Sequence, residues 1–459
     1  MFTTPKISRR TRALRLLGIA GVAVTLGACN DFLTAKNPGA IDGDRLGDST
    51  YINLLVNGVI GEFQPMLNNV TLWSAKFSDE TRNHHVFSEE IDFDTRRIAP
   101  ENGTYSFFVY GPMQRTRFLG DSVAARLKLI LPDSSGLSLR IARSLALGAY
   151  AYVLLGEQVC GVPYNLGPTL PSDSSFARAV VRYTEARTIA TAFLATLTGA
   201  PPTAPTTTTA DSLISFANVG IARANLGMGN WAAAEAAAAL VTNTTFDWRA
   251  YYSQNSGREN NTLFANLGLG VSSTASNNIS LTPFFQVAPD PRIPYPAVNE
   301  GTQNGIQTRV PNSPLSWSTY NGTAVGAEMT INANVRVASY LEAQHILFEA
   351  RLRQGNATGA LAFINARRAV GGQGVYVGLI TAAALQSELM DQRRRDFYLD
   401  AHRLGDMRRY KRFGGPNFYE SGVYPGSTTG LTYGDQVCFP LPAAELQGNP
   451  SATQPAQNP

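Results

Sequence analysis

Apolar residues return every three or four positions in many segments of this chain, and they almost never alternate with period two for long. That spacing predicts helices rather than strands. Ala142, Leu145, Ala149 and Tyr152 share one helical face, and Ile214, Ala217, Ile221 and Ala224 share another. A break at Gly227-Met228-Gly229-Asn230 leads directly into a stripe of Trp231, Ala234, Ala238 and Val241. Leu341, His345, Phe348 and Leu352 form a further stripe, followed by Gly355-Asn356 and a helix carrying Ala360, Phe363 and Ile364. Residues 139–156 and 178–198 are expected to supply additional helices.

Two of these pairs share a plan, a helix ending in a Gly-containing turn and then a helix rich in small residues. The plan resembles the tetratricopeptide helix–turn–helix, whose units stack because neither helix buries its face alone. Ala222-Arg223-Ala224-Asn225-Leu226-Gly227-Met228-Gly229-Asn230-Trp231 is the best match to it. Between the helical blocks lie aperiodic stretches, 70–106 and 243–335, rich in Asn, Gly, Ser, Thr and Pro with aromatics interleaved. Long segments of this kind in a compact protein usually carry function or are disordered. The tract Gly199–Thr209 reads as a flexible excursion, and 448–459 as a frayed tail. The predicted fold class is all-α dominated, a helical-repeat scaffold with long irregular loop insertions.

Charge alters the picture at one end. The formal charge of the 459-residue chain is +4, but residues 1–28 hold Lys6, Arg9, Arg10, Arg12 and Arg15 and no acid. Without them 33 basic groups face 34 acidic ones, a charge of −1, which argues against a nucleic-acid partner. The same 28 residues read as an export signal: a basic stretch, an apolar run from Leu14 to Leu26, then small residues. The run is about thirteen residues, short of the roughly 20 that span a bilayer. Leu26-Gly27-Ala28-Cys29 resembles the lipobox of bacterial lipoproteins, so Cys29 is expected to be acylated and to anchor the chain without a transmembrane helix. A hydrophobic content of 44% excludes wholesale disorder of the chain beyond Cys29.

The C-terminal block is the most specific part of the sequence. Residues 391–412 read DQRRRDFYLDAHRLGDMRRYKR, and Phe439-Pro440-Leu441-Pro442 comes after them with Glu445 and Asn449-Pro450. The order resembles the SusD/RagB family of outer-membrane nutrient-binding lipoproteins. Members end in an Arg-rich helix, matched here by Arg393, Arg394, Phe397, His402-Arg403, Asp406 and Arg408-Arg409, and then in an FPIP-x-x-E-x-x-x-NP segment. Cys29-Asn30-Asp31-Phe32-Leu33 with Asn37-Pro38, Ser78-Asp79-Glu80, and Gly161-Val162-Pro163-Tyr164 fit the front of the same pattern. Asp396 and Asp400-Ala401 depart from it, where the family carries Glu and Glu-Gly. The resemblance implies a single domain over 29–459 after a signal peptide at 1–28. A tether spans 29–48, helical repeats lie within 50–241 and 338–411, and ligand loops occupy 70–106 and 243–335. It also implies a SusC-like TonB-dependent transporter as partner, and an outer-membrane, cell-surface location. Within the Arg-rich helix, Arg403 and Asp406 are spaced to pair on one face.

No GxSxG, SxxK or HExxH motif is present, and no acidic pair stands out for glycoside hydrolysis, so the reading is a binding protein with no cofactor and no metal. His84-His85 is read as solvated loop, and His345 and His402 as structural groups. Cys160 and Cys438 are either a disulfide formed in an oxidising compartment or two separate buried thiols. Flat aromatics stack on the C–H faces of sugars while amides and charges meet the hydroxyls. Trp73 in the first loop region, and Trp248, Tyr251, Tyr252, Phe284, Phe285, Tyr295, Trp317 and Tyr320 in the second, are the available rings. From these the expected ligand residues are Trp73, Tyr295, Trp317 and Tyr320, with Asp79, Asn83 and Arg292 as polar partners. The expected ligand is an oligosaccharide or, less simply, a peptide. The competing reading is an envelope scaffold that binds partner proteins in tetratricopeptide-like grooves.

Overall fold

A computed structural model describes residues 43–83, 87–263, 279–282, 284–285, 290–295, 302–303, 306–307, 330–425 and 429–459. The chain divides into two units, Met1–Tyr51 and Ile52–Pro459. The described part of the first consists of two 3-10 turns, Gly43–Gly47 and Ser49–Tyr51, with the Arg45 guanidinium 5.4 Å from the Tyr51 ring centroid. The second unit holds all the remaining described residues.

Helices dominate it. They run α1 Ile52–Phe77, α2 Ser88–Asp94, α3 Gly111–Ile130, α4 Leu139–Gln158, α5 Ser172–Thr196, α6 Pro205–Met228 and α7 Trp231–Ala239. After the second loop region come α8 Tyr340–Arg353, α9 Ala360–Val370, α10 Ala382–Asp396, α11 Arg403–Arg412 and α12 Ala443–Gly448. Each of α3 to α7 packs on its chain neighbour, α1 lies against α3 and α4, and α8 joins α7 to α10. Alanine and glycine allow close approach: a Cβ on Gly120 of α3 would sit 2.6 Å from the Cα of Gly148 of α4. Gly229 ends α6 in the left-handed conformation (φ 79°), and α7 restarts two residues later, as the Gly-Met-Gly-Asn break predicts. By length and composition α4 qualifies as a membrane span, but 83% of the relevant window is buried, which makes it the core helix of this stack.

Short two-stranded antiparallel sheets tie the loops to this frame. β1 Thr81–Asn83 pairs with β5 Ile279–Leu281, β2 Gly161–Pro163 with β3 Thr169–Pro171, and β6 Thr302–Gln303 with β7 Ile306–Gln307. β4 Asp247–Ala250 pairs with β8 Val335–Ser339, and the register shifts between Trp248 and Arg249.

Several sequence expectations need correction. Trp73 belongs to α1, which continues eight residues into the stretch read as loop, because Val70, Leu72, Ala75 and Phe77 all bury. The tract before Thr209 is helical from Pro205, since proline at a first helical position loses no hydrogen bond. The tail is docked rather than frayed: Val437 N donates to Gln457 O (2.9 Å), and Thr453 N to Thr169 Oγ1 (3.0 Å). The Arg-rich block is two helices, split at Phe397–His402, where Leu399 and Ala401 take positive φ of 57° and 67°.

The Phe439 segment closes the core. Its ring is fully buried among Phe77, Phe93 and Tyr105, with centroids 4.9–5.7 Å away, while Phe439 N donates to Gln158 O and Phe439 O accepts from Cys160 N. Beside it Cys160 and Cys438 are joined by a disulfide across a sequence separation of 278.

Candidate functional site

Most of the polar residues expected at a ligand site are committed inside the protein. Asp79, just past the end of α1, receives the side-on guanidinium of Arg403 from α11, with Nη2 2.6 Å from Oδ2. Burial raises the carboxyl's pKa, but Arg403 and Arg394 more than offset it, so Asp79 titrates below its ordinary value. Arg292 is 1% exposed and bonded to Asp290 (2.6 Å) and to Asp396 (3.0 Å). Asn83 lies buried in β1, where its N donates to Asp94 Oδ2 (2.9 Å) and its Oδ1 accepts from Lys76 Nζ (3.1 Å). Trp73 is 6% exposed, 4.7 Å from the Phe93 ring, with Lys76 Nζ 4.6 Å from its centroid. Tyr295 is half-buried against the core. Trp317, Tyr320, His84, His85 and Cys29 lie outside the described residues.

Trp73, Asp79, Asn83 and Arg292 are thus buried and engaged with other residues of the protein rather than gathered around a common cleft. An acid or amide in a polar segment pairs as readily with a buried arginine as with a sugar, and the sequence does not say which is near. The Arg403–Asp406 pair is corrected for the same reason: Arg403 goes to Asp79, while Asp406 takes Arg393 (2.8 Å) and Arg409 (2.8 Å). His345 and His402 are internal members of this network. Burial lowers His345 to about 4, and Asp396, 2.7 Å away, opposes that only in part. For His402, burial and Arg223 push downward, but Asp400 and Glu342 prevail and hold the ring at about 9.

An open, aromatic-lined cleft forms elsewhere, where α1, α4 and β4 meet. Its volume is about 120 Å³, and its lining includes Phe63 and Gln64 of α1, Arg143 and Leu147 of α4, Trp248 of β4, and Tyr251. The helical contributors follow from spacing, since Arg143 and Leu147 stand four residues apart on one face. The β4 register shift falls beside Trp248, a usual device for re-aiming a side chain. The Trp248 ring stacks on Phe216 of α6 (4.9 Å, 21°) and has the Arg143 guanidinium 5.8 Å from its centroid. Tyr251 is 46% exposed, and Gln64 Nε2 donates to its carbonyl. The next residue is pinned, with Tyr252 OH donating to Gln64 O (3.0 Å) and Tyr252 N to Asn334 Oδ1 (3.1 Å). The aromatic presentation is thus held from both α1 and Asn334, the residue just before β8.

This arrangement offers a flat exposed ring, an apolar floor and three polar side chains, Gln64, Arg143 and Arg249. Among the described residues the lining includes no carboxylate, histidine, cysteine or serine. Trp248 and Tyr251 were visible in the sequence as loop aromatics; Gln64 and Arg143, on helices, carried no signal. Two other clefts fit recognition less well. In one of about 320 Å³, Tyr419 and Tyr433 already have Arg96 over their rings, at 5.2 and 5.7 Å. In one of about 250 Å³, Arg408 is spent on the carbonyls of Gly156, Glu157 and Val159 that end α4. Among the described residues, no group of three or more His, Cys, Asp or Glu is arranged to hold a metal.

No family model matches the sequence, and no curated protein does. Solved structures do match. A SusD superfamily protein from Bacteroides thetaiotaomicron VPI-5482 superposes with a TM-score of 0.63 at 12% identity, covering 90% of this chain and 99% of that one. One from Bacteroides vulgatus ATCC 8482 gives 0.60 at 15% identity, with 89% and 99% covered. A laminarin-binding SusD-like protein gives 0.60 at 14% identity, with 88% and 98% covered. The architecture is a tetratricopeptide-like helical scaffold with loop insertions. More particularly, it is the SusD-like fold over nearly its whole length.

Proposed function

We propose that this chain is a lipid-anchored carbohydrate-binding protein of the outer-membrane surface, which captures oligosaccharide and passes it to a SusC-like TonB-dependent transporter. The observation that carries the reading is the Trp248–Tyr251 cleft, an exposed tyrosine over an apolar floor with an amide and a guanidinium in reach, built on a SusD-like fold. Support for a glycan comes from the laminarin-binding protein that shares the fold. Support for export and anchoring comes from the basic–apolar–small signal ending in Leu26-Gly27-Ala28-Cys29. The work is binding and handover, with no covalent step.

Two measurements test it. Pull-down of the tagged, membrane-extracted lipoprotein should recover a transporter barrel; recovery of soluble envelope proteins without a barrel would favour the scaffold reading instead. A panel of soluble oligosaccharides should bind the purified protein, and Tyr251→Ala should weaken that binding by about three- to tenfold. Unchanged binding in Tyr251→Ala would move the site away from this cleft.

A further inference from the structure

The cleft contains a charge that has no carboxylate partner among the described residues. Arg143 is half-buried on α4 and faces Trp248 and Tyr251. Burial lowers its guanidinium from the ordinary value, and the one group acting in the opposite direction is the Tyr251 phenol. Among the described residues no carboxylate stands within ion-pair distance of it. The contrast with its neighbours is sharp. Arg249, the other cation of the lining, is held by Asp247 at 2.7 Å, and Arg182, further along the stack, by Asp121 at 3.1 Å. Arg223 and Arg403, deeper in the protein, are held by Glu157 and Asp79, each at 2.6 Å.

A guanidinium partly removed from water without a counter-charge is disfavoured, and an incoming anion that replaces the lost hydration relieves that cost. The planar fork of arginine fits a carboxylate with two parallel N–H···O bonds. The cleft, about 120 Å³ and open to solvent, lets a carboxylate reach Arg143 while the sugar ring lies over Tyr251. We infer that the Trp248–Tyr251 cleft selects an acidic saccharide, with a uronate carboxylate on Arg143 and the sugar's C–H face on the Tyr251 ring. The inference rests on the carbohydrate-binding reading and narrows it to one ligand class.

The test is a comparison of trigalacturonate with its methyl ester, two probes alike in shape that differ in charge, by titration calorimetry on the intact mature chain. Neutral laminarin oligosaccharide serves as the third probe. At low salt the acid is expected to bind about tenfold tighter than the ester, and the ratio should shrink as salt rises. Arg143→Gln should bring the ratio close to one, while Arg143→Lys should keep part of it, because the charge remains and the fork is lost. Equal affinity of the wild-type protein for acid and ester would overturn the inference while leaving the carbohydrate reading intact. So would a preference for the acid that survives Arg143→Gln, since another cation would then be responsible. The wild-type ratio decides the first point even if the variant folds poorly. Binding of none of the three probes would remove the cleft as a sugar site, and the inference with it.

Discussion

Two sets of arginines in this molecule behave in opposite ways. Those of the C-terminal block, Arg393, Arg403 and Arg409, lie buried with carboxylates against them: Asp406, Asp79 and Glu349. Arg143 at the cleft is half-buried and has no carboxylate partner among the described residues. The first set holds the polypeptide together, since its ion pairs link segments far apart in the chain, such as Asp79 with Arg403 across 324 residues. The second has no such partner among the described residues, and by the inference above it is the group that meets a ligand. Arginine content alone therefore does not separate the two sets; the state of compensation does.

The largest expected effect comes from removing one partner of a buried pair. Asp79→Asn leaves Arg403 charged and buried, which should cost about 3–5 kcal/mol of unfolding free energy. The urea midpoint would show it; a loss under about 1 kcal/mol would mean that water reaches the network and that the two sets of arginines differ less than their geometry indicates.

The histidines sharpen the comparison through pH. His402, held at about 9 in the fold against 6.5 unfolded, contributes stability that is full below about 6.5 and is lost as pH rises through 9. His345, lowered to about 4, has the opposite sign: its contribution is full above about 6.5 and is lost as pH falls toward 4. Each limb should amount to roughly 3 kcal/mol. Melting temperature against pH should fall on both sides of a maximum near pH 6.5, with His402→Gln flattening the alkaline limb and His345→Gln the acid one. An alkaline limb unchanged in His402→Gln would contradict the assignment.

The smallest stability effect is expected at the cleft. Arg143→Gln should change the unfolding free energy by no more than about 0.5 kcal/mol, because it breaks no ion pair of the described chain. A loss comparable to that of Asp79→Asn would show that Arg143 is structural and erase the distinction.

Much of the scaffold was legible in advance. The Ala-rich stripes and the Gly229 stop are local signals, because helix periodicity and capping depend on neighbours within a turn or two. The Phe439-Pro440-Leu441-Pro442 segment was legible as a resemblance, and its ring does enter the core. The site was not legible to the same degree. Trp248 and Tyr251 showed as aromatics in a polar stretch, but Trp73 had the same appearance and lies inside α1 against Phe93. Gln64 and Arg143 are ordinary helix positions until β4 is laid beside them.

By itself the sequence determined the helical class and the Gly-containing turns between helices, which rest on spacing and local chemistry. Only the tertiary structure decided which charges are paired. Coulombic compensation and desolvation depend on distance in space and on burial, and partners such as Asp79–Arg403 or Arg292–Asp396 meet across separations of 324 and 104 residues. It is this pairing that spends Asp79 and Arg292 on the interior and leaves Arg143 facing the cleft.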